Sequence, residues 1–120
     1  MVTKVHAHQE AIHRPLHEVV AELISVLGPT TVQSMTGTKD RSMPSKWARE
    51  DGSTPRHQTE TQLRLGYRVL VILRDGVGQR VASPWFHGAN PSLGEDTPVT
   101  AIREQRAAAV VGAAEAFVNL

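Results

Sequence analysis

The sequence predicts an all-α protein, and the prediction rests on three observations. Apolar residues recur at helical spacing from Leu16 to Leu27. The unbroken stretch from His57 to Arg74 is long for a single strand. Aromatic residues make up only 4% of the chain, so Leu, Val, Ile and Ala must build the core, which suits packed helices. With 120 residues, the chain forms one small domain or two half-size modules that share a core.

The first third of the sequence contains signals for an arm and two helices. Residues 1–14 are polar, rich in histidine and without an apolar period, so we expect a flexible arm there. Pro15 can begin a helix, because the first N–H groups of a helix have no acceptor within it and the N–H that proline lacks is not needed there. Gly28-Pro29 ends this helix. A second helix is expected from Pro29 to Met35, and Gly37 breaks it.

A third helix is expected around Trp47, from Arg41 to Glu50. Asp40 or Ser42 can cap its N-terminus. Pro44 costs little if Ser42 is the cap, but it removes the first internal hydrogen bond if Asp40 is the cap. Both caps stay open at this point.

The segment from His57 to Arg74 is compatible with two patterns. Its apolar residues alternate, which is typical of a strand, whereas Leu63, Tyr67 and Leu70 also share one helical face. Because the segment is too long for an ordinary strand, we interpret it as a helix that is buried on two sides.

The last third predicts a hinge and two further helical regions. Residues 75–78 include two glycines and are interpreted as the hinge. Gln79 to His87 forms a short helix that is interrupted by Pro84. The final helical region begins at Pro98, runs to Val118 and breaks near residues 103–106.

Two short helices around Gly37 have the arrangement of a helix-turn-helix, in which the second helix enters the DNA major groove. The chain has seven Lys or Arg against four Asp or Glu from Lys39 to Arg68, and three against five from Asp75 onward, which is consistent with two different partners; the alternative is ordinary fluctuation in a short chain. For the helix-turn-helix, the alternative is a solvated basic helix that contacts nothing. The candidate DNA-contacting residues are Lys39, Arg41, Ser42, Ser45, Lys46 and Arg49.

Several classes of function lack a signal in this sequence. There is no nucleophile elbow, Walker loop or His-Glu-x-x-His motif, so we expect no enzyme activity. His6-x-His8 and the pair His13 and His17 lack further ligands, so we expect no metal and no cofactor. The chain has no cysteine, and its longest apolar run is too short to cross a bilayer. We expect a cytoplasmic protein without a membrane partner.

The order Trp85-Phe86, Asn90-Pro91, Leu93-Gly94 and Thr97-Pro98, followed by an alanine-rich helix, resembles the C-terminal toxin-binding region of the Xre/MbcA/ParS antitoxins. The sequence Ser-x-x-Ser-Lys-Trp-Ala from Ser42 to Ala48 also resembles the Xre-like part of that family. The resemblance implies a helix-turn-helix region over residues 15–75, packed with a toxin-binding module over residues 76–120.

The resemblance further implies the partners. Such antitoxins cover the active-site entrance of a RES-domain toxin that destroys NAD, repress their own operon through operator DNA, and form homodimers within the complex. By the resemblance, the toxin-facing surface is formed or supported by Trp85, Phe86, Asn90, Leu93, Thr97, Arg103, Phe117, Val118, Asn119 and Leu120.

The apolar chain end, Phe117 to Leu120, suits insertion into a partner. The alternative is that the last helix folds back and covers its own core. Two other functions also remain open: a helix-turn-helix regulator without a toxin partner, and a helical scaffold that binds protein only.

Overall fold

The computed structural model describes residues 4–120, which form eight α-helices and no strand. A short 3-10 turn at Pro91–Leu93 lies between the sixth and seventh helices. The all-α prediction is therefore confirmed. The helices are α1 (Lys4–His13), α2 (Leu16–Leu27), α3 (Pro29–Thr36), α4 (Met43–Trp47), α5 (His57–Val77), α6 (Gln79–His87), α7 (Pro98–Arg103) and α8 (Ala107–Val118).

Helix α5 is the centre of the fold. It contacts α1, α2, α3, α6, α7 and α8. Both the alternating residues and the helical-face residues of this segment are buried, because neighbouring helices surround α5 on more than one side. The interpretation as a helix buried on two sides is confirmed. Tyr67, Leu70 and Leu73 are completely buried in it.

Glycine ends the helices where the sequence indicated. Gly28 follows α2 with φ of 89°, and Gly37 follows α3 with φ of 74°. These positive values are unfavourable for side chains with a Cβ, so glycine suits both positions. The predicted helix around Pro84 and the predicted break between α7 and α8 are also present.

The structure corrects the expectation of a flexible arm. Residues 4–13 form helix α1, which packs against α5 and buries Ala7 and Ala11. Arg64 of α5 donates hydrogen bonds to the carbonyls of Ala11 and Arg14, both at 2.8 Å. Met1 to Thr3 of the expected arm lie outside the described residues.

The structure also corrects the hinge at residues 75–78. Helix α5 continues through Gly76 to Val77, and only Gly78 leaves the helix, with φ of 98°. Since α5 crosses residue 75 and packs against helices from both halves, the two proposed modules share a core. The boundary between them remains a prediction.

Candidate functional surfaces

Helices α3 and α4 form the candidate helix-turn-helix pair, and side-chain hydrogen bonds organise the chain between them. Gln33 donates to the carbonyl of Thr38 at 3.1 Å. The carboxylate of Asp40 accepts from the backbone N–H and the hydroxyl of Ser42, at 2.9 and 2.7 Å. These two bonds hold the pKa of Asp40 below its ordinary value, and the nearby charge of Lys46 lowers it further. Asp40 therefore orders the turn and is not the cap of α4.

Helix α4 is shorter than the predicted helix from Arg41 to Glu50, since it covers only Met43–Trp47. Ser42 is the residue before it but makes no capping bond with its side chain. The chain turns back after Trp47, so that Gly52 lies close to the backbone of Lys46. A Cβ at Gly52 would be only 1.8 Å from the Lys46 carbonyl oxygen. This close approach replaces the last turns of the expected helix.

The structure leaves the candidate DNA-contacting residues accessible around this short helix. Lys39, Arg41, Ser42, Ser45 and Arg49 are exposed, and Lys46 is half-buried. Among the described residues, the four basic side chains of this set form no ion pair. Pro44 and Trp47 lie on the buried side of α4. Burial of Trp47 anchors this side of α4 to the rest of the fold.

The segment from Trp85 to Pro98 connects α6 to α7 and has several buried side chains; we call it the packed joint. Phe86 and Leu93 are buried almost completely, and Trp85 is 9% exposed. The rings of Trp85 and Phe86 meet edge to face, with centroids 5.6 Å apart. These three side chains could support a partner surface, but burial leaves them little area for direct contact.

Asn90 closes the loop after α6 through both its backbone and its side chain. Its side-chain oxygen accepts from the N–H of Ser92 at 2.9 Å, and its carbonyl accepts from Leu93 and Glu95, each at 2.9 Å. Its own N–H donates to the carbonyl of Asp96 at 3.1 Å. Gly94 completes this turn with φ of 64°.

Thr97 starts α7 as an N-terminal cap, because its hydroxyl accepts from the N–H of Thr100 at 3.1 Å. Arg103 ends the same helix and is exposed. Its guanidinium donates to the carbonyl of Ser34 in α3 at 3.3 Å, and its own carbonyl accepts from buried Gln62 at 2.8 Å. Thr97 and Arg103 therefore determine where α7 lies.

Helix α8 folds back over the core of its own chain. Phe117 is half-buried, with its ring centroid 6.2 Å from that of Trp85. Val118 is half-buried against Gly76. The alternative in which the last helix folds back over its own core is therefore the observed arrangement, and within the segment from Phe117 to Leu120 only Asn119 and Leu120 are exposed.

The outer face of α8 consists of small residues. Val110 and Ala114 face the core, whereas the solvent side is formed by Ala107, Ala108, Gly112 and Ala116. A Cβ at Gly112 would meet no atom within 4 Å. A partner surface can therefore approach the α8 backbone closely at this position.

Arg68 lies beside this face in a cavity of about 290 Å³ that Ala108, Gly112 and Glu115 also line. Its Nε is buried and has no hydrogen-bond partner among the described residues. A buried guanidinium N–H without an acceptor is unfavourable by itself. This position of Arg68 could not be predicted from the sequence, because its neighbours from Tyr67 to Leu73 are mostly apolar and carry no binding signal.

The sequence also did not reveal a polar network that joins α1, α2 and α5. The Tyr67 hydroxyl contacts Arg14 and donates to Glu10 at 3.0 Å. Arg14 and Arg74 both donate to Glu22, at 2.7 and 2.9 Å. Burial raises the pKa of Tyr67, and the carboxylates around it add to the rise. Hydrogen bonds to Glu22 and to Asp75 raise the pKa values of Arg14 and Arg74, respectively.

One group of possible metal ligands occurs within the described residues. His6, Glu10 and Asp75 bring one ligand atom each to within 4.8 Å of one another. Arg74 donates to Asp75 at 2.9 Å and contacts Glu10 at 3.5 Å, so both carboxylates are already paired with a guanidinium. Of the histidines considered from the sequence, His6 alone belongs to this group. His13 ends α1, and His17 lies in α2 beyond Pro15.

Within residues 4–120, no helix has the length and apolar character needed to cross a membrane. Comparison with protein-family models, with curated proteins and with solved structures found no match for this chain.

Proposed function

We propose that this chain is an antitoxin that binds a RES-domain, NAD-degrading toxin and blocks access to its active site. The resemblance of the Trp85 to Pro98 segment to the Xre/MbcA/ParS antitoxins supports the class of partner. The accessible small-residue face of α8 is the structural observation on which the binding proposal depends. The packed joint from Trp85 to Pro98 leads into α7, and its 3-10 turn contacts α8.

The blocking mechanism is steric. Ala108 and Gly112 allow the toxin backbone to come close to α8, and close approach permits a large contact area from small side chains. Arg68 supplies a cation at the edge of this face, where it can pair with a toxin carboxylate. Exposed Leu120, two residues beyond the end of α8, adds apolar area. The chain contributes no catalytic group in this mechanism.

Gly112→Trp tests the α8 face without disturbing the core, because the glycine faces open space. We expect the affinity for the toxin, measured by titration calorimetry, to fall by at least about tenfold, or about 1.4 kcal/mol. Gly112→Ala should bind nearly as well as the wild type. Ala21→Trp, at an exposed position of α2, is the matched control for added bulk. Wild-type affinity of Gly112→Trp would exclude the α8 face from the interface.

A short truncation tests the chain end separately. Removing Asn119 and Leu120 should weaken toxin neutralisation, measured as growth of cells that express the toxin, and should leave the fold intact because both residues are exposed. Removing Phe117 and Val118 as well also deletes core contacts, so it cannot separate binding from stability. Full rescue by the shorter truncation would contradict a role for the chain end.

We further propose that the antitoxin, as a homodimer, represses its operon through α3 and α4. Support comes from the unpaired basic residues around α4. Changing Lys46 and Arg49 to Ala should weaken promoter binding and reduce the slope of log K against log[salt] by about 2, if both contact phosphates. Arg80→Ala, an exposed change on α6, is the control. Unchanged binding by the double variant would remove the assignment of α4 as the recognition helix.

A further inference from the structure

A groove between α1 and α5 contains a cavity of about 310 Å³. Ala11 of α1 and Leu65 of α5 line it as buried apolar side chains. Ile12 lines it as well and is 50% exposed, so half of this large apolar side chain remains available for contact. The groove can therefore bury an apolar side chain of a partner.

The charged side chains of this groove are basic. His8, Arg64 and Arg68 line it, and its described lining residues include no carboxylate. Arg64 is already paired with Glu60 and with carbonyls at the end of α1. Arg68, in contrast, forms no hydrogen bond and no ion pair with the residues that the structure describes. The charge of the groove thus complements a carboxylate.

The groove is continuous with the α8 face. Arg68 and Ala107 line both this cavity and the neighbouring one beside Gly112. A protein that lies on α8 therefore reaches the groove along one surface, and it meets Arg68 between the two parts.

A second copy of this chain lacks the matching chemistry on its described surface. The carboxylates within two residues of its exposed large apolar side chains are Glu10 and Asp75, and Arg74 pairs with both. Those exposed apolar side chains are Ile12, Val77, Val81 and Leu120. The charge of the groove therefore favours a different protein as its occupant.

We propose that the groove between α1 and α5 binds an acidic, apolar segment of the toxin. An apolar side chain of that segment packs on Leu65 and Ile12, and a carboxylate beside it pairs with Arg68. The apolar surroundings strengthen such a charge-assisted pair. This inference rests on the proposed function and extends the toxin-binding surface from α8 to α1. Since α1 forms one side of the groove, its packing against α5 contributes to toxin binding.

The isoleucines allow the contact to be located in the unmodified protein. With ¹³C-labelled δ1 methyl groups, each isoleucine gives one signal, and Ile12→Val assigns the signal of Ile12 by its loss. The chain is first measured over a range of concentrations without toxin and is then titrated with unlabelled toxin. We expect the Ile12 signal to shift on addition of toxin and not with concentration alone. A shift with concentration alone would assign the groove to a second copy and overturn the proposal.

Two variants measure the contribution of the groove by titration calorimetry with the toxin. Arg68→Gln should weaken binding by at least about tenfold, because it leaves a toxin carboxylate buried without its cation. Ile12→Ser should weaken binding about three- to tenfold, since only half of the Ile12 surface remains to be buried. Ile12→Met keeps the apolar area and should bind like the wild type. Arg80→Gln, an exposed change on α6, is the control for lost charge.

Comparison with Gly112→Trp separates this proposal from the proposed function. No toxin binding by the wild-type chain would overturn both. Wild-type affinity of Arg68→Gln or of Ile12→Ser, with Gly112→Trp weakened, would overturn the groove proposal alone. Weakened binding by both groove variants, with urea unfolding midpoints close to that of the wild type, supports the groove for either result with Gly112→Trp.

Discussion

The contact between Gly76 and Val118 predicts a measurable steric effect of a single methyl group. Gly76 lies near the end of α5, and Val118 is the last residue of α8. A Cβ at Gly76 would be 2.7 Å from both the Cβ and one Cγ of Val118. Ordinary contact begins at 3.4 Å, so the end of α8 must move by about 0.7 Å to accept Gly76→Ala. The atom it meets is next to the backbone and cannot swing away alone.

Two opposing terms set the size of this effect. Overpacking of this kind costs about 1–3 kcal/mol, whereas exchanging glycine for alanine within a helix stabilises by up to about 1 kcal/mol. Subtracting the full helix gain of about 1 kcal/mol from the overpacking cost, we expect Gly76→Ala to lower the free energy of unfolding by about 0–2 kcal/mol, where an unstrained exchange would raise it. Urea unfolding followed by circular dichroism at a helical wavelength measures it, with the slope against denaturant as a check on the unfolded state.

Gly112→Ala and Val118→Gly separate the two terms. Gly112 faces open space, so its alanine variant should gain up to about 1 kcal/mol and report the helix term alone. In a Val118→Gly background, Gly76→Ala loses its steric cost and should become neutral or stabilising, which is a change of sign within one double-mutant cycle. If Gly76→Ala stabilises the wild type as much as Gly112→Ala does, α8 does not pack on α5 as described.

Three further outcomes follow from buried side chains. Tyr67 is the single tyrosine of the chain, so the absorbance change at alkaline pH reports its ionisation alone. The midpoint of this titration should lie above the ordinary value in the folded protein and fall to about pH 10 in urea. Because this pKa is raised on folding, wild-type stability should decline above about pH 10, and Tyr67→Phe should lack that decline. Phe86→Ala should cost about 3–5 kcal/mol in urea unfolding, since Phe86 is completely buried. Gln62→Leu should cost about 1–3 kcal/mol in the same assay, because it leaves the Arg103 carbonyl without its donor. An ordinary Tyr67 midpoint, or near-neutral effects at the other two sites, would contradict the packing around α5.

The sequence predicted the helices whose apolar residues are large and regularly spaced. Helix α2 and its end at Gly28 follow from spacing and backbone preference, and α5 follows from its length. Helix α1 was missed because its buried residues are the small Ala7 and Ala11, which give little hydrophobic signal. The short length of α4 depends on the approach of Gly52 to a carbonyl, a tertiary contact that local patterns do not contain.

Exposure of the basic residues around α4 could be predicted from their charge. The sequence does not predict which part of the region from Trp85 to Leu120 is buried. The packed joint and the exposed face of α8 are both rich in apolar residues, and only packing distinguishes them. The contacts of Tyr67 with Arg14 and Glu10 were also beyond local patterns, since more than fifty residues separate the partners in the chain.

The proposed toxin neutralisation is measured most directly as NAD loss catalysed by the purified RES-domain toxin that the proposal pairs with this chain. Adding the full chain in equimolar amount should stop NAD loss, and the Gly112→Trp variant should require a large excess to do so. Ala21→Trp should behave as the wild type. Undiminished NAD loss in the presence of excess folded wild-type chain would contradict the antitoxin proposal.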